Sequence, residues 1–267
     1  MEITLIIILI ISGVLTNVMS ALFGIGGGVL MVPILHTLFP ELPYQMISAT
    51  SLTIVMSSSL INVIAFYRQK IQINYKAMLL WSVGMLIGVQ LGFESSFYVP
   101  EYLIITVFIA TLTLLSAQIL LLKSKNETVQ PDKNETFKGI ALCCLGGGIA
   151  GMTGVGGGSI LAPLIGQLRS VEVKKIAVYT NYMMVIGGIG SLYGYITKVP
   201  PHQVSSWQLG YIDLSIVGLV VFSSFITSFF SMKLKGKLSP TTTKRSLGII
   251  LLAIALYMLV LQIYNAI

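Results

Sequence analysis

Two apolar stretches of this chain are too long to be single membrane helices, and the same glycine phrase interrupts both. Residues 3–39 would make a helix of about 55 Å at 1.5 Å per residue, whereas a bilayer's hydrocarbon core is roughly 30 Å thick. The first phrase reads Gly24-Ile25-Gly26-Gly27-Gly28-Val29-Leu30-Met31-Val32-Pro33, and the second, inside residues 139–168, reads Gly154-Val155-Gly156-Gly157-Gly158-Ser159-Ile160-Leu161-Ala162-Pro163. A shift of 130 superimposes all four glycines and the proline, and brings Thr180 onto Thr50. Each internal glycine weakens a helix by about 1 kcal/mol. Each long run is therefore expected to be a helix, a glycine turn and a short second helix, at 29–38 and 159–168. Pro33 and Pro163 fall in the second turn of those short helices, where a kink is expected.

Only 9% of the 267 residues are charged and 55% are hydrophobic, with a mean hydropathy of +0.90. An ordinary globular domain is about a quarter charged, so the chain is expected to be an all-α polytopic membrane protein. The net charge of +7 comes from bases scattered through short loops, with no nucleic-acid motif beside them. They report orientation in the lipid bilayer, and no nucleic-acid partner is expected. Cys143 and Cys144 are adjacent, which suits neither a metal nor an unstrained disulfide; they read as small packing residues. The N-terminus lacks the basic start of a cleaved signal and is read as a retained membrane segment.

Six further apolar runs, at 44–66, 77–98, 102–122, 176–197, 211–232 and 246–264, have the length of spanning helices. If every run crossed once, the bases would divide eight and eight. If the two interrupted runs are hairpins that enter and leave on one side, 15 of the 16 bases share one face and only Lys198 is opposite. The positive-inside rule selects the second arrangement. Each half then has one re-entrant, broken-helix hairpin plus three crossings, and this odd total makes the halves inverted repeats. Residues 1–122 form the first repeat, 123–138 a cytoplasmic linker and 139–267 the second, with both termini outside. The sequons at Asn126 and Asn134 fall in that linker and are read as chance matches. Ile73-Asn74-Tyr75 and Ile212-Asp213-Leu214 echo each other between halves, and Gly84, Gly88 and Gly92 provide a small-residue face for helix packing.

Glycines at a helix break expose N–H groups, and the start of the following helix adds the positive end of its dipole. Such an end holds an anion without a formal charge. Interrupted helices at matching places in two halves mark a transporter's binding site. The candidate contacts are Gly26, Gly27, Gly28, Val29, Thr50 and Ser51 from the first half, and Gly156, Gly157, Gly158, Ser159, Thr180 and Asn181 from the second. Ser159 is a candidate cap or ligand contact. Spanning runs hold no central Asp, Glu, Lys or Arg, which leaves no carboxylate proton relay. His36 and His202 lie near run ends, and no catalytic constellation, metal set or cofactor motif appears. An enzyme is not expected.

On these residues the chain resembles the sulfite exporter TauE/SafE family, also called the toluene sulfonate uptake permeases. The resemblance rests on the twin Gly-x-Gly-Gly-Gly phrases, Ala49-Thr50-Ser51, the Arg68–Asn74 loop and the basic Lys233–Arg245 segment. It implies a permease for sulfite or an organosulfonate in a bacterial cytoplasmic (inner) membrane. The second half departs from the pattern with Tyr179-Thr180-Asn181. The partners expected are a small oxyanion, the bilayer and, at most, a second copy in a homodimer. A non-transporting scaffold subunit, an anion channel and a thiol-redox protein are the competing readings. A double Cys143→Ala, Cys144→Ala variant should keep full activity in liposomes; its inactivity would revive the redox reading.

Overall fold

The computed structural model describes residues 3–25, 27–121, 135–168, 170–200, 206–234 and 240–266. Gly26, the sequons and most of the expected linker lie outside them. The first half runs α1 (Ile3–Phe23), α2 (Gly28–Leu38), α3 (Tyr44–Arg68), α4 (Tyr75–Ser95) and α5 (Glu101–Leu121). The second runs α6 (Glu135–Thr153), α7 (Gly157–Ile165), α8 (Ile176–Thr197), α9 (Leu214–Leu234) and α10 (Pro240–Ala266). A two-stranded hairpin, β1 (Gln208–Leu209) with β2 (Ile212–Asp213), precedes α9. Seven of these helices are long and apolar enough to cross a membrane. Ile7, Leu91, Phe222 and Phe229 are exposed on the outside of the bundle, as a lipid-facing surface requires.

Both long runs break where the glycines stand. Gly24 and Gly154 each adopt φ +71°, and their N–H groups close the preceding helices onto Ser20 and Ala150 at 2.9 Å. This left-handed residue is the usual glycine stop of a helix. The chain then reverses. Gly27 packs on Thr16, and Ile8 joins Leu30, Pro33 and Ile34 in one groove, so α2 returns along α1. Likewise Gly146 of α6 abuts Ile160 and Leu164 of α7. The short helices begin at Gly28 and Gly157, slightly earlier than expected, and α7 ends at Ile165 rather than 168. Residues 135–138, at the end of the expected linker, are helical, and buried Glu135 accepts a hydrogen bond from Ser170 N at 2.9 Å.

Helix contacts come in pairs that exchange the halves. α4 packs on α6 as α9 packs on α1; α4 meets α8 as α9 meets α3; α5–α10 and α3–α8 pair with each other across the halves. The α4–α6 seam depends on absent side chains. A methyl on Gly84 would lie 2.6 Å from Ile140 O, and methyls on Gly88 and Gly92 would overlap the carbonyls of Cys144 and Gly148. From the other side, a methyl on Gly147 would sit 2.6 Å from Met85 O. Apolar side chains gain nothing by leaving lipid for one another, so such close backbone approach carries helix association. Gly92→Ala should therefore destabilise the purified protein by roughly 1–3 kcal/mol, the usual cost of overpacking. Gly218→Ala, which meets nothing within 4 Å, should not lower the thermal midpoint in detergent, since alanine favours a helix interior over glycine by about 1 kcal/mol.

Candidate functional site

The two interruptions meet. A methyl on Gly158 would lie 2.5 Å from Ile25 C and 2.7 Å from Gly24 O, and one on Gly28 would overlap Val155 O. Each phrase therefore packs against the backbone of the other. Each also rests on a helix of the opposite half: Gly24 is placed 2.5 Å from Ala177 Cα, and Gly154 2.5 Å from Ser48 Cα, measured from the methyl each lacks.

Hydroxyls secure both contacts. Thr180 Oγ1 donates to Gly24 O at 2.8 Å, and Ser51 Oγ donates to Gly154 O at 2.9 Å. These two side chains do the same work, so the correspondence between α3 and α8 is 129 residues where the glycines differ by 130. Thr180 therefore answers to Ser51 and not to Thr50. Thr50 is directed elsewhere: its Oγ1 accepts from Asp213 N at 3.1 Å, while the Asp213 carboxylate accepts from Ser215 N and Ile216 N and starts α9. In the other half, Tyr179 OH accepts from Asn74 N at 2.8 Å, and Asn74 Oδ1 accepts from Ala77 N to start α4. Thus the echo between residues 73–75 and 212–214 is a pair of helix caps, each clasped by the opposite half. A capping side chain is worth about 1 kcal/mol.

Ser159 is not the cap of α7. Its N-cap is Gly156, with φ +71°, and Ser159 Oγ donates to Gly156 O at 3.3 Å. Gly27, with φ +68°, precedes α2. Val29, Gly157 and Gly158 are in the first turns of their helices and fully buried. Little space remains here. A cavity of about 10 Å³, lined by Leu52, Val55, Met85, Gly157, Gly188 and Tyr195 among others, is the size that admits at most one water. A larger groove of about 470 Å³ between α1, α2 and α10 is lined by Ile8, Leu30, Pro33, Ile250 and Tyr257 among others, and is too apolar to hold an anion.

Tyr195, which lines the small cavity, meets Phe93 edge to face with ring centres 4.4 Å apart, and Phe93 and Phe97 both pack on Tyr211. Lys198 covers this plug, paired with Glu94 and 3.9 Å from the centre of the Phe97 ring. Burial pushes the Tyr211 phenol above its ordinary pKa, against a smaller downward pull from Lys198.

Asn181 belongs to a group that sequence reading did not single out. It joins Ser20 of α1 and Asn62 of α3: Ser20 Oγ donates to Asn181 Oδ1 at 3.3 Å, and Asn62 Nδ2 donates to Ser20 Oγ at 2.8 Å and to Asn181 Oδ1 at 3.2 Å. Beside it, Ser231 Oγ donates to Asn17 Oδ1 at 2.7 Å. All five residues are inaccessible. The signal available was the rarity of asparagine inside spanning runs, where a polar side chain must find a partner.

A bundle of membrane-length helices in which two broken helices meet is the arrangement of a membrane transporter. The chain belongs to the Sulfite exporter TauE/SafE family, whose pattern it matches over residues 9–258. A probable membrane transporter protein of Haemophilus influenzae is 54% identical over 265 residues, covering 98% of both chains. Probable membrane transporter proteins of Methanocaldococcus jannaschii and Bacillus subtilis are 26% and 24% identical, covering 94% and 86% of this chain and 94% and 90% of their own lengths. No solved structure matches.

The clasp at the break is directly testable. Thr180→Val should lower stability by about 1–2 kcal/mol, because Gly24 O loses a buried donor, whereas Thr180→Ser should recover most of the loss in thermal unfolding.

Proposed function

We propose that this protein is a secondary transporter for a small sulfur oxyanion, sulfite or an organosulfonate, across a bacterial cytoplasmic membrane. The observation that carries the reading is the mutual contact of the two interruptions, each held by a hydroxyl from the opposite half. Residues 1–122 and 139–267 are taken as inverted repeats, with the hairpins α1–α2 and α6–α7 re-entrant and both termini outside. The paired exchange of helix contacts and helix caps supports this arrangement.

Transport requires the halves to move, because the phrases fill the space between them. As they part, the first N–H groups of α2 and α7, at Gly27–Val29 and Gly157–Ser159, become free to bind the anion, and Ser51 and Thr180 are released beside them. Gly26, the candidate next to Gly27 in sequence, is kept in the proposed set. The positive ends of two short helices then face one negative guest. Thr50 serves the Asp213 cap and leaves the ligand set. The sulfur chemistry of the substrate is taken from the family, that of the sulfite exporters.

Purified protein in liposomes should catalyse saturable flux of sulfite or a sulfonate, faster with the same anion on the far side, and ignore chloride. Gly157→Leu should remove flux while the protein still enters the membrane. Failure of every sulfur oxyanion to move would defeat the assignment, and flux without counter-flow acceleration would make the protein a channel.

A further inference from the structure

We propose that the polar group at the end of α1 is a sodium site, built from the neutral oxygens of Thr16, Asn17, Ser20, Asn62 and Asn181. Its purpose, coupling, rests on the transport reading, but the binding does not. The first observation is an excess of unused polar atoms. Thr16 Oγ1, Asn17 Nδ2 and Asn62 Oδ1 have no hydrogen-bond partner, and all three residues are wholly buried. Each such atom costs about 1–3 kcal/mol, and at membrane depth no solvent relieves it. Three on neighbouring turns of packed helices point to a ligand.

The second observation is that the group is absent from the other half. The corresponding positions of Thr16, Asn17 and Ser20 are Gly146, Gly147 and Ala150, while those of Asn62 and Asn181 are Ser191 and Leu52. The paired architecture closes well without these amides, so packing alone does not call for them.

The third observation sets the sign of the charge. The end of α6 is well supplied with donors: Tyr44 OH reaches Thr153 O at 2.9 Å, Ser48 Oγ reaches Gly151 O at 3.3 Å, and Ser51 takes Gly154 O. At the end of α1 Thr180 supplies Gly24 O, but the positions matching Tyr44 and Ser48 are Val173 and Ala177, which have no hydroxyl. The negative end of the α1 dipole is thus left less neutralised. Most donors within the group are already spent: Ser20, Asn62 and Ser231 donate to their neighbours, and Asn181 Nδ2 donates to Ala177 O at 2.7 Å. Turning the Asn17 amide by half a turn keeps its bond to Ser231, whose oxygen then accepts, and presents an oxygen instead of the spare N–H. What remains is the lone pairs of the amides and of Thr16, whose hydroxyl is the one unspent donor among these residues and can turn its hydrogen away from a cation. A hard cation takes oxygen ligands, and broken-helix transporters hold sodium with such neutral oxygens at a half-helix C-terminal end.

The test is thermal unfolding of the detergent-purified full chain, titrated with sodium chloride against choline and potassium chloride at constant ionic strength. Sodium should raise the midpoint saturably, because it binds only the folded state. Thr16→Val and Asn62→Leu should weaken the sodium response about tenfold, the effect of losing one hydrogen-bond-scale contact to a charge. Asn62→Asp should strengthen it, whereas an anion site would be weakened by the same change. Ser116→Ala, which loses a bond to Gly248 O in the α5–α10 contact, should respond as wild type does. If Asn62→Leu does not fold, the near-isosteric Thr16→Val carries the test alone. No selective sodium shift in the wild type, or an undiminished one in Thr16→Val, overturns the site. Sodium binding without anion flux in liposomes would overturn the transport reading and leave the site standing.

Discussion

Backbone that leaves a helix inside a bilayer has no water to bond with, and this one constraint organises the molecule. Two helices stop at glycines buried within the apolar bundle, exposing carbonyl and N–H groups that must be met by protein. The solution is reciprocal. The break in each half lies on a helix of the other, and a hydroxyl from that helix takes the exposed carbonyl of Gly24 or Gly154. Because the phrases also touch each other directly, only glycine fits at positions 28 and 158. Neither half can bury its own break alone.

That dependence connects fold to activity. A contact made between halves is a contact that relative motion breaks, and it lies where two short helices begin. In the closed arrangement the helix starts are covered by facing backbone, and the adjoining cavity holds at most one water. On the proposed reading, an anion bound at the freed N–H groups would offset the clasps lost at Gly24 O and Gly154 O. The bonds at Thr50–Asp213 and Tyr179–Asn74 lie apart from the breaks and tie the halves at the starts of α9 and α4. The aromatic plug beneath Lys198 has a different place again, at the loop ends of α4 and α8.

The polar residues divide into those that periodicity could place and those that it could not. Thr50 and Thr180 follow the glycine phrases at the same interval, 26 residues after Gly24 and Gly154, yet it is Ser51, one residue on, that joins Thr180 at the breaks. Thr50 faces Asp213 instead, since one residue on a helix turns a side chain by about 100°. Thr16, Asn17, Ser20 and Asn62 escaped notice because each is unremarkable in its own run. Their meaning comes from four helices meeting.

The sequence by itself determined that the chain lies in a membrane, where its helices break and that the two breaks are copies. Those properties follow from local chemistry: apolar length, glycine's weak helix propensity and the absence of charge. Tertiary structure decided which hydroxyl meets which carbonyl, that the glycine phrases close on each other, and that asparagines from both halves gather beside the end of α1 and not beside that of α6. These outcomes depend on how helices from distant parts of the chain are rotated and offset in packing. A shift of one residue changes the partner of a side chain while leaving every local preference the same.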